Sequence, residues 1–406
     1  MIKNFISKNF NVFKYASVQI LSKGLTLLAT YAIALYATNE VFGYISLIQA
    51  TLVTVITLFG FNLSNGVIRY YFEVSSKKIL KSIFPILFFL FIVSIIASIY
   101  LYLLFENDIF YIWFSILPLA GFFNGCILIF SILSRAKGLF FYYALAELMR
   151  PFFLIFVSIL FIFYSVDIIS YFSLALFLSS IICFFSLLCV IRNFDNNIDV
   201  GNLDTKKIFF YTLPLFFVQL MSLVNNVSDK FIMQLFVSMH DIGLYGKCYL
   251  IGSSLGLLFD SLMLLWTPYV MRNKLRIYSK NKEHLIKFVL IILALSVIFF
   301  VFSIFIYMSE KKYYFDSYII ATTLIVISAF VSRIGYQVLS PLISAFDKTK
   351  WLASISAVSM LLGVFFNLLL IPYIGAIGAA ISTYLSFFIY SLMSIYLIRR
   401  LNNHVV

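Results

Sequence analysis

Twelve long apolar runs fill this chain of 406 residues, and the basic residues between them alternate from rich to poor. The runs cover residues 12–37, 41–66, 82–104, 110–133, 139–164, 169–191, 208–237, 245–270, 287–308, 317–340, 351–372 and 377–398. Each is as long as the roughly 20 apolar residues that carry a helix across a bilayer core. No soluble domain could present so much apolar surface to water. The chain is therefore expected to be an all-α polytopic membrane protein with twelve transmembrane helices. Hydrophobic residues make up 63% of it and charged residues 11%, where soluble domains carry about 25% charged residues.

The charges orient the helices. Of the 29 Lys and Arg residues, six lie well inside the runs, Lys14, Lys23, Arg150, Lys230, Lys247 and Arg333, while Lys287 opens the ninth run and is counted with the gap before it. Only Lys311 and Lys312 lie in one alternating set of gaps, and all the others lie in the opposite set with the two ends. Basic residues gather on the cytoplasmic side, so the N- and C-termini are expected in the cytoplasm. The net charge of +13 follows from this bias and implies no nucleic-acid partner. The first run is too long and continuous for a cleavable signal, so none is expected.

The longest hydrophilic interior stretch, 192–207, holds Asp195, Asn196, Asn197, Asp199, Gly201 and Asp204. It is read as a cytoplasmic linker between a six-helix lobe at 1–191 and another at 208–406, arranged around a central cavity. Both lobes start in the cytoplasm, so a repeat would be parallel, about an axis along the membrane normal. An offset of 200 pairs Gln19 with Gln219, Ser22 with Ser222, Gly43 with Gly243, and Leu58–Phe59 with Leu258–Phe259.

Polar side chains inside a bilayer are costly, about 2.5–3.5 kcal/mol for a central charge on insertion scales. Gln19, Ser22, Lys23, Thr26 and Thr30 recur at three- and four-residue spacings and share one helix face. Gln219, Ser222, Asn226, Asp229 and Lys230 repeat that stripe on the seventh run. The two stripes are read as walls of the cavity; the plainer alternative is hydrogen bonding between packed helices. Adjacent residues on a helix do not face each other, so Asp229 and Lys230 should have separate partners. Gly252, Gly256 and Asp260, four apart, suggest a close helix contact beside either an ion site or the partner of a cavity lysine. Arg333, with Gln337 one turn on, either meets an anionic ligand or snorkels to the headgroups. Glu147 and Arg150, with Pro151 next, read as an ion pair at a kink. Lys14 and Lys247 lie near interfaces, where snorkelling is the default. Arg69 follows Gly60–Gly66, a stretch that should weaken the end of the second helix. Six embedded cations face three acids, Glu147, Asp229 and Asp260, and a phosphate-bearing ligand suits that surplus better than a cationic drug. Lys23, Lys230, Arg333, Arg69, Gln19, Gln219 and Asn226 are the candidate substrate contacts. Asp229 and Asp260 are the candidates for ion coupling.

Other chemistry finds little support. Cys126, Cys183, Cys189 and Cys248 lie within or at the edge of apolar runs, without metal spacing. No phosphate loop or nucleophile elbow is present, and no cofactor is expected. The outer gaps are too short for the loop or domain that a membrane polymerase, ligase or glycosyltransferase uses.

The stretch Asn367 to Thr383, with Pro372, Gly375 and Gly378–Ala379–Ala380, resembles a signature of the polysaccharide-exporting branch of the multidrug/oligosaccharidyl-lipid/polysaccharide exporter superfamily. In that pattern the Asn ends the eleventh helix and the Pro and Gly form a short outer turn. Similar features are Glu40–Val41–Phe42–Gly43–Tyr44 with its counterpart Asp241–Ile242–Gly243–Leu244–Tyr245, and Ser344 to Lys350. The first lobe departs from the pattern: no Gly-x-x-Gly-Ala-Ala stands around Tyr164–Ile168. The resemblance implies a Wzx-type flippase that moves polyprenyl-diphosphate-linked oligosaccharide units, such as O-antigen repeats, to the outer leaflet of the bacterial inner membrane. It implies alternating access between two lobes, contact with membrane lipids, and other polysaccharide-assembly membrane proteins as compatible partners. The rivals are a drug/cation antiporter of the same superfamily, disfavoured by the cationic surplus, and a polysaccharide polymerase or ligase, disfavoured by the short outer gaps.

Overall fold

A computed structural model describes residues 10–71, 74–105, 113–164, 167–192, 204–272, 317–345 and 349–403. Every regular element among them is helical: α1 (Phe10–Tyr36), α2 (Asn39–Gly60), α3 (Leu63–Tyr70), α4 (Ser76–Leu104), α5 (Leu117–Ala136), α6 (Phe140–Tyr164), α7 (Ile168–Arg192), α8 (Thr205–Phe236), α9 (Met239–Arg272), α10 (Ser317–Ala345) and α11 (Thr349–Asn403). A 3₁₀ turn, Trp113–Ile116, leads into α5. Among the described residues, nine helices are long and apolar enough to cross a membrane. The ninth apolar run, Lys311 and Lys312, most of the 192–207 linker and Phe346–Lys348 lie outside the described residues.

Helix boundaries follow local chemistry. After Gly60, Phe61 and Asn62 both take left-handed backbone, with φ of 45° and 52°. Asn tolerates this region, whereas a bulky residue there is an outlier. Phe61 is held by rings stacked on it from Phe209 at 5.4 Å and Phe216 at 4.5 Å. The expected weak end of the second helix is thus a sharp bend leading into the short α3. α5 stops at Gly138, with φ of 75°. Leu139 N–H returns to Ser134 and Gly138 N–H to Arg135, a glycine-capped end that turns the chain directly into α6.

α11 is two arms joined at Ile374 and Gly375, whose backbone leaves the helical region. Gly378 packs so close to the first arm that a Cβ would stand 2.7 Å from the Leu370 carbonyl. Ala379 and Ala380 are fully buried. The small-residue start expected for the second arm is therefore required sterically. Asn367 does not end the first arm as the resemblance suggested, because the helix continues past Pro372.

The chain forms two compact units, Met1–Ala37 with Tyr44–Leu223, and Thr38–Gly43 with Val224–Val406. α8 contributes its first half to one unit and its remainder to the other. In the first unit, α6 buries Tyr143, Pro151, Leu154 and Ser158 and turns Phe141, Phe152, Phe156 and Phe163 outward. Such an exposed aromatic surface suits lipid rather than water. In the second unit, α9 and α10 approach through Gly252 and Gly256, where a Cβ would stand 2.6 Å from Val326 and 3.0 Å from Phe330. Also within that unit, a Cβ on Gly43 would lie 2.2 Å from the Met239 carbonyl oxygen, and one on Gly243 would lie 1.7 Å from that of Asn39. The contact is reciprocal at the 200-residue offset, as in a two-fold interface.

Candidate functional site

Each unit holds its own intramembrane charge cluster. In the first unit, α1 carries the stripe from Gln19 to Thr30. Ser22 donates to the Glu147 carbonyl of α6 at 2.6 Å. Thr26 and Thr30 donate back to the carbonyls of Ser22 and Thr26, so these two hydroxyls serve their own helix. Lys23, half-buried, is an electrostatic neighbour of the Glu147 carboxylate, as is Arg135. That carboxylate also accepts from Ser131 of α5 at 3.4 Å.

The expected Glu147–Arg150 ion pair does not form. Glu147 is engaged toward α1 and α5, while Arg150 makes no ion pair among the described residues and its Nε is shielded without a hydrogen-bond partner. Gln219 also falls in the first unit; its Oε1 is buried and unpartnered. Arg69, on α3, is exposed, with its guanidinium 5.7 Å from the Tyr70 ring. Lys14 stands 4.0 Å over Phe140.

In the second unit, Asp229 is 2% exposed and Lys230 8%. Asp229 accepts the Tyr245 hydroxyl and the Lys230 backbone N–H at 2.8 Å, with the Thr383 hydroxyl beside it. The Lys230 ammonium stands 4.8 Å over the Tyr249 ring, a cation–π contact. Each side chain has its own tyrosine, but the two charges also act directly on each other, so the expectation of wholly separate partners holds only for these tyrosine contacts. The two tyrosines, Tyr245 and Tyr249, stand one turn apart on α9. Sequence reasoning did not single them out, because one tyrosine among 27 carries no distinguishing pattern.

A second polar seam ties α8 to both arms of α11. Asn225 donates to Ser359 at 3.2 Å and Ser359 to the Ser386 carbonyl at 2.9 Å. Asn367 donates to Ser228 at 3.3 Å and accepts from Ser382. Asn367 is therefore a cross-link between helices. Asn226 is half-buried. Arg333 is half-buried, with its guanidinium 5.8 and 5.9 Å from the buried rings of Phe330 and Phe387 and its Nε shielded and unpartnered. Asp260 lies on α9, but its side chain falls outside the described residues.

Among the described residues no cluster of His, Cys, Asp or Glu is arranged to hold a metal. The clusters offer fixed cations in low-dielectric surroundings, which suits recognition of an anion.

The model of the polysaccharide biosynthesis protein family matches residues 10–274. The fold is similar to that of the lipid II flippase MurJ in its inward closed conformation, with a TM-score of 0.72 and 16% identity over 95% of this chain and 87% of that one. It is also similar to an inward-facing multidrug resistance MATE family transporter of the MOP superfamily (TM-score 0.66, 13% identity, 97% and 99% covered). A third similar structure is the Vibrio cholerae MATE transporter VcmN (TM-score 0.62, 12% identity, 97% and 98% covered). No curated protein sequence matches the chain.

Proposed function

Because the chain belongs to the polysaccharide biosynthesis protein family, we propose that it flips polyprenyl-diphosphate-linked oligosaccharide repeat units from the inner to the outer leaflet of a bacterial inner membrane. The units would be those of O-antigen or a related surface polysaccharide. It acts as a transporter by alternating access rather than as an enzyme. Its topology is twelve helices with both ends cytoplasmic, in lobes 1–191 and 208–406.

The observation that best supports an anionic substrate is the half-buried Arg333, near two rings and without an ion-pair partner among the described residues. A cationic drug would be repelled by such a group, whereas a diphosphate or acidic sugar would complete it. Lys23, Gln19, Gln219 and Arg69 are the proposed contacts of the first unit. Arg333, Asn226 and Lys230 are those of the second, and contact at Lys230 requires the Tyr249 ring to move aside. Asp229 and Asp260 remain the proposed coupling groups.

Deletion of the gene provides the test. Surface polysaccharide should disappear while single lipid-linked repeat units accumulate on the inner leaflet. Accumulation of single units on the outer leaflet would instead identify a polymerase. Intact polysaccharide with lost resistance to cationic drugs would identify an antiporter.

A further inference from the structure

Arg150 is a cation on the buried face of α6 that no contact among the described residues explains. At about 100° per residue, it projects from the same face of α6 as Tyr143, Glu147 and Leu154. Phe152 and Phe156 project from the opposite side and are exposed. The side chain is therefore turned inward, away from surrounding lipid. α1 and α5 meet this face, through Tyr15 against Tyr143 at 5.0 Å, Ser22 on the Glu147 carbonyl and Ser131 on the Glu147 carboxylate. The sequential contacts 15 with 143 and 22 with 147 run the same way along α1 and α6. Arg150 thus lies one turn beyond Ser22, level with Thr26, whose hydroxyl is already bonded to its own helix.

Although it faces inward, Arg150 is only half-buried, so part of its side chain stays accessible. Its Nε is shielded and unpartnered, and the nearby carboxylate, Glu147, is shared with Lys23 and Arg135. Three cations thus accompany one acid. An inward-facing charge left without a partner is destabilising, and an intramembrane cation facing inward marks an ion or substrate path by default.

We infer that Arg150 is an anion contact inside the first unit, taking the phosphate of a lipid. The planar guanidinium suits two phosphate oxygens at once. The phosphate belongs either to the polyprenyl diphosphate carrier or to a resident phospholipid. Only the first source rests on the flippase reading.

The test uses the purified full chain and its melting midpoint in neutral detergent. Additions are a polyprenyl diphosphate, phosphatidylglycerol, or phosphatidylcholine as the zwitterionic control. The wild-type midpoint should rise with one of the two anionic lipids and not with the control. In R150M the rise should vanish, while the lipid-free midpoint stays equal or increases, because an unpaired charge has been replaced by an apolar chain of similar length. R150K should keep part of the rise, since it retains the charge but not the fork. A rise confined to polyprenyl diphosphate assigns the site to substrate. A rise confined to phosphatidylglycerol assigns it to a resident lipid and stands even if the deletion phenotype contradicts the flippase reading. A full rise in R150M, or no rise in the wild type with either anionic lipid, overturns the inference. If R150M does not accumulate, R150Q carries the same comparison. If neither neutral variant folds while R150K does, the charge holds the bundle itself and the inference falls.

Discussion

Lys23 and Lys230 occupy similar stripes on the opening helices of the two repeats, yet their surroundings differ. Lys230 is 8% exposed, roofed by Tyr249 and set beside Asp229, whose carboxylate is itself held by Tyr245. Lys23 is half-buried and shares one carboxylate, from another helix, with Arg135. In the second unit the charge is matched inside one helix and sealed. In the first it is half-buried, beside a carboxylate that Arg135 also approaches. Two similar sequence signals therefore sit in different surroundings, and under the proposed function a ligand reaches Lys230 only once the Tyr249 ring moves, whereas Lys23 is reached directly.

The largest effect that could break this contrast is expected at Asp229. Asp229→Ala leaves Lys230 buried and uncompensated, at a cost of about 3–5 kcal/mol. Little folded protein should reach the membrane, and a second substitution, Lys230→Met, should restore much of it. Normal accumulation of the single variant, measured by fluorescence size exclusion, would show that the pair is not sealed.

A smaller effect is expected where small residues hold backbones together. Gly243→Ala and Gly378→Ala each force a Cβ into a carbonyl, and overpacking costs about 1–3 kcal/mol. Both should lower the melting midpoint, whereas Gly24→Ala, which meets open space, should not.

The lysines themselves sharpen the comparison. Lys23→Gln should insert normally and lose transport by about tenfold or more, equivalent to about 1.4 kcal/mol. Lys23→Arg should retain most of it. Lys230→Gln should reduce the amount of protein before it reduces transport per molecule. Equal behaviour of the two Gln variants in a repeat-unit flipping assay would erase the distinction.

The smallest effect tests how α1 is tied to α6. Ser22→Ala removes one hydrogen bond to the Glu147 carbonyl and should cost about 0.5–1.5 kcal/mol, read as a modest fall in melting midpoint. No change would mean that the contact between α1 and α6 rests on packing alone.

What was legible in the sequence was whatever is written along one helix. Apolar length marked the spans, Gly60–Gly66 marked the bend after α2, Gly252 and Gly256 marked the α9–α10 contact, and Gly378 marked the start of the second arm of α11. What was not legible lies between helices. Glu147 and Arg150 have the spacing of an ion pair, but the carboxylate is claimed by groups more than a hundred residues away and in the preceding helix. Tyr245 and Tyr249 matter because α8 and α9 bring Asp229 and Lys230 to them, and aromatic residues are too abundant here to stand out. Asn367 looked like a helix end because its motif contains Pro372; its real partners, Ser228 and Ser382, are set by packing.

The reciprocal approach of Gly43 to Met239 and of Gly243 to Asn39 bears on how freely a duplicated chain can diverge. The contact is made by main-chain atoms, so it records nothing about the side chains around it. It asks only that two positions stay without a Cβ. Neighbouring residues are then free to drift, and the segments around Gly43 and Gly243 can lose their likeness in letters while keeping the same contact. A faint repeat and a tight geometric correspondence are compatible for that reason.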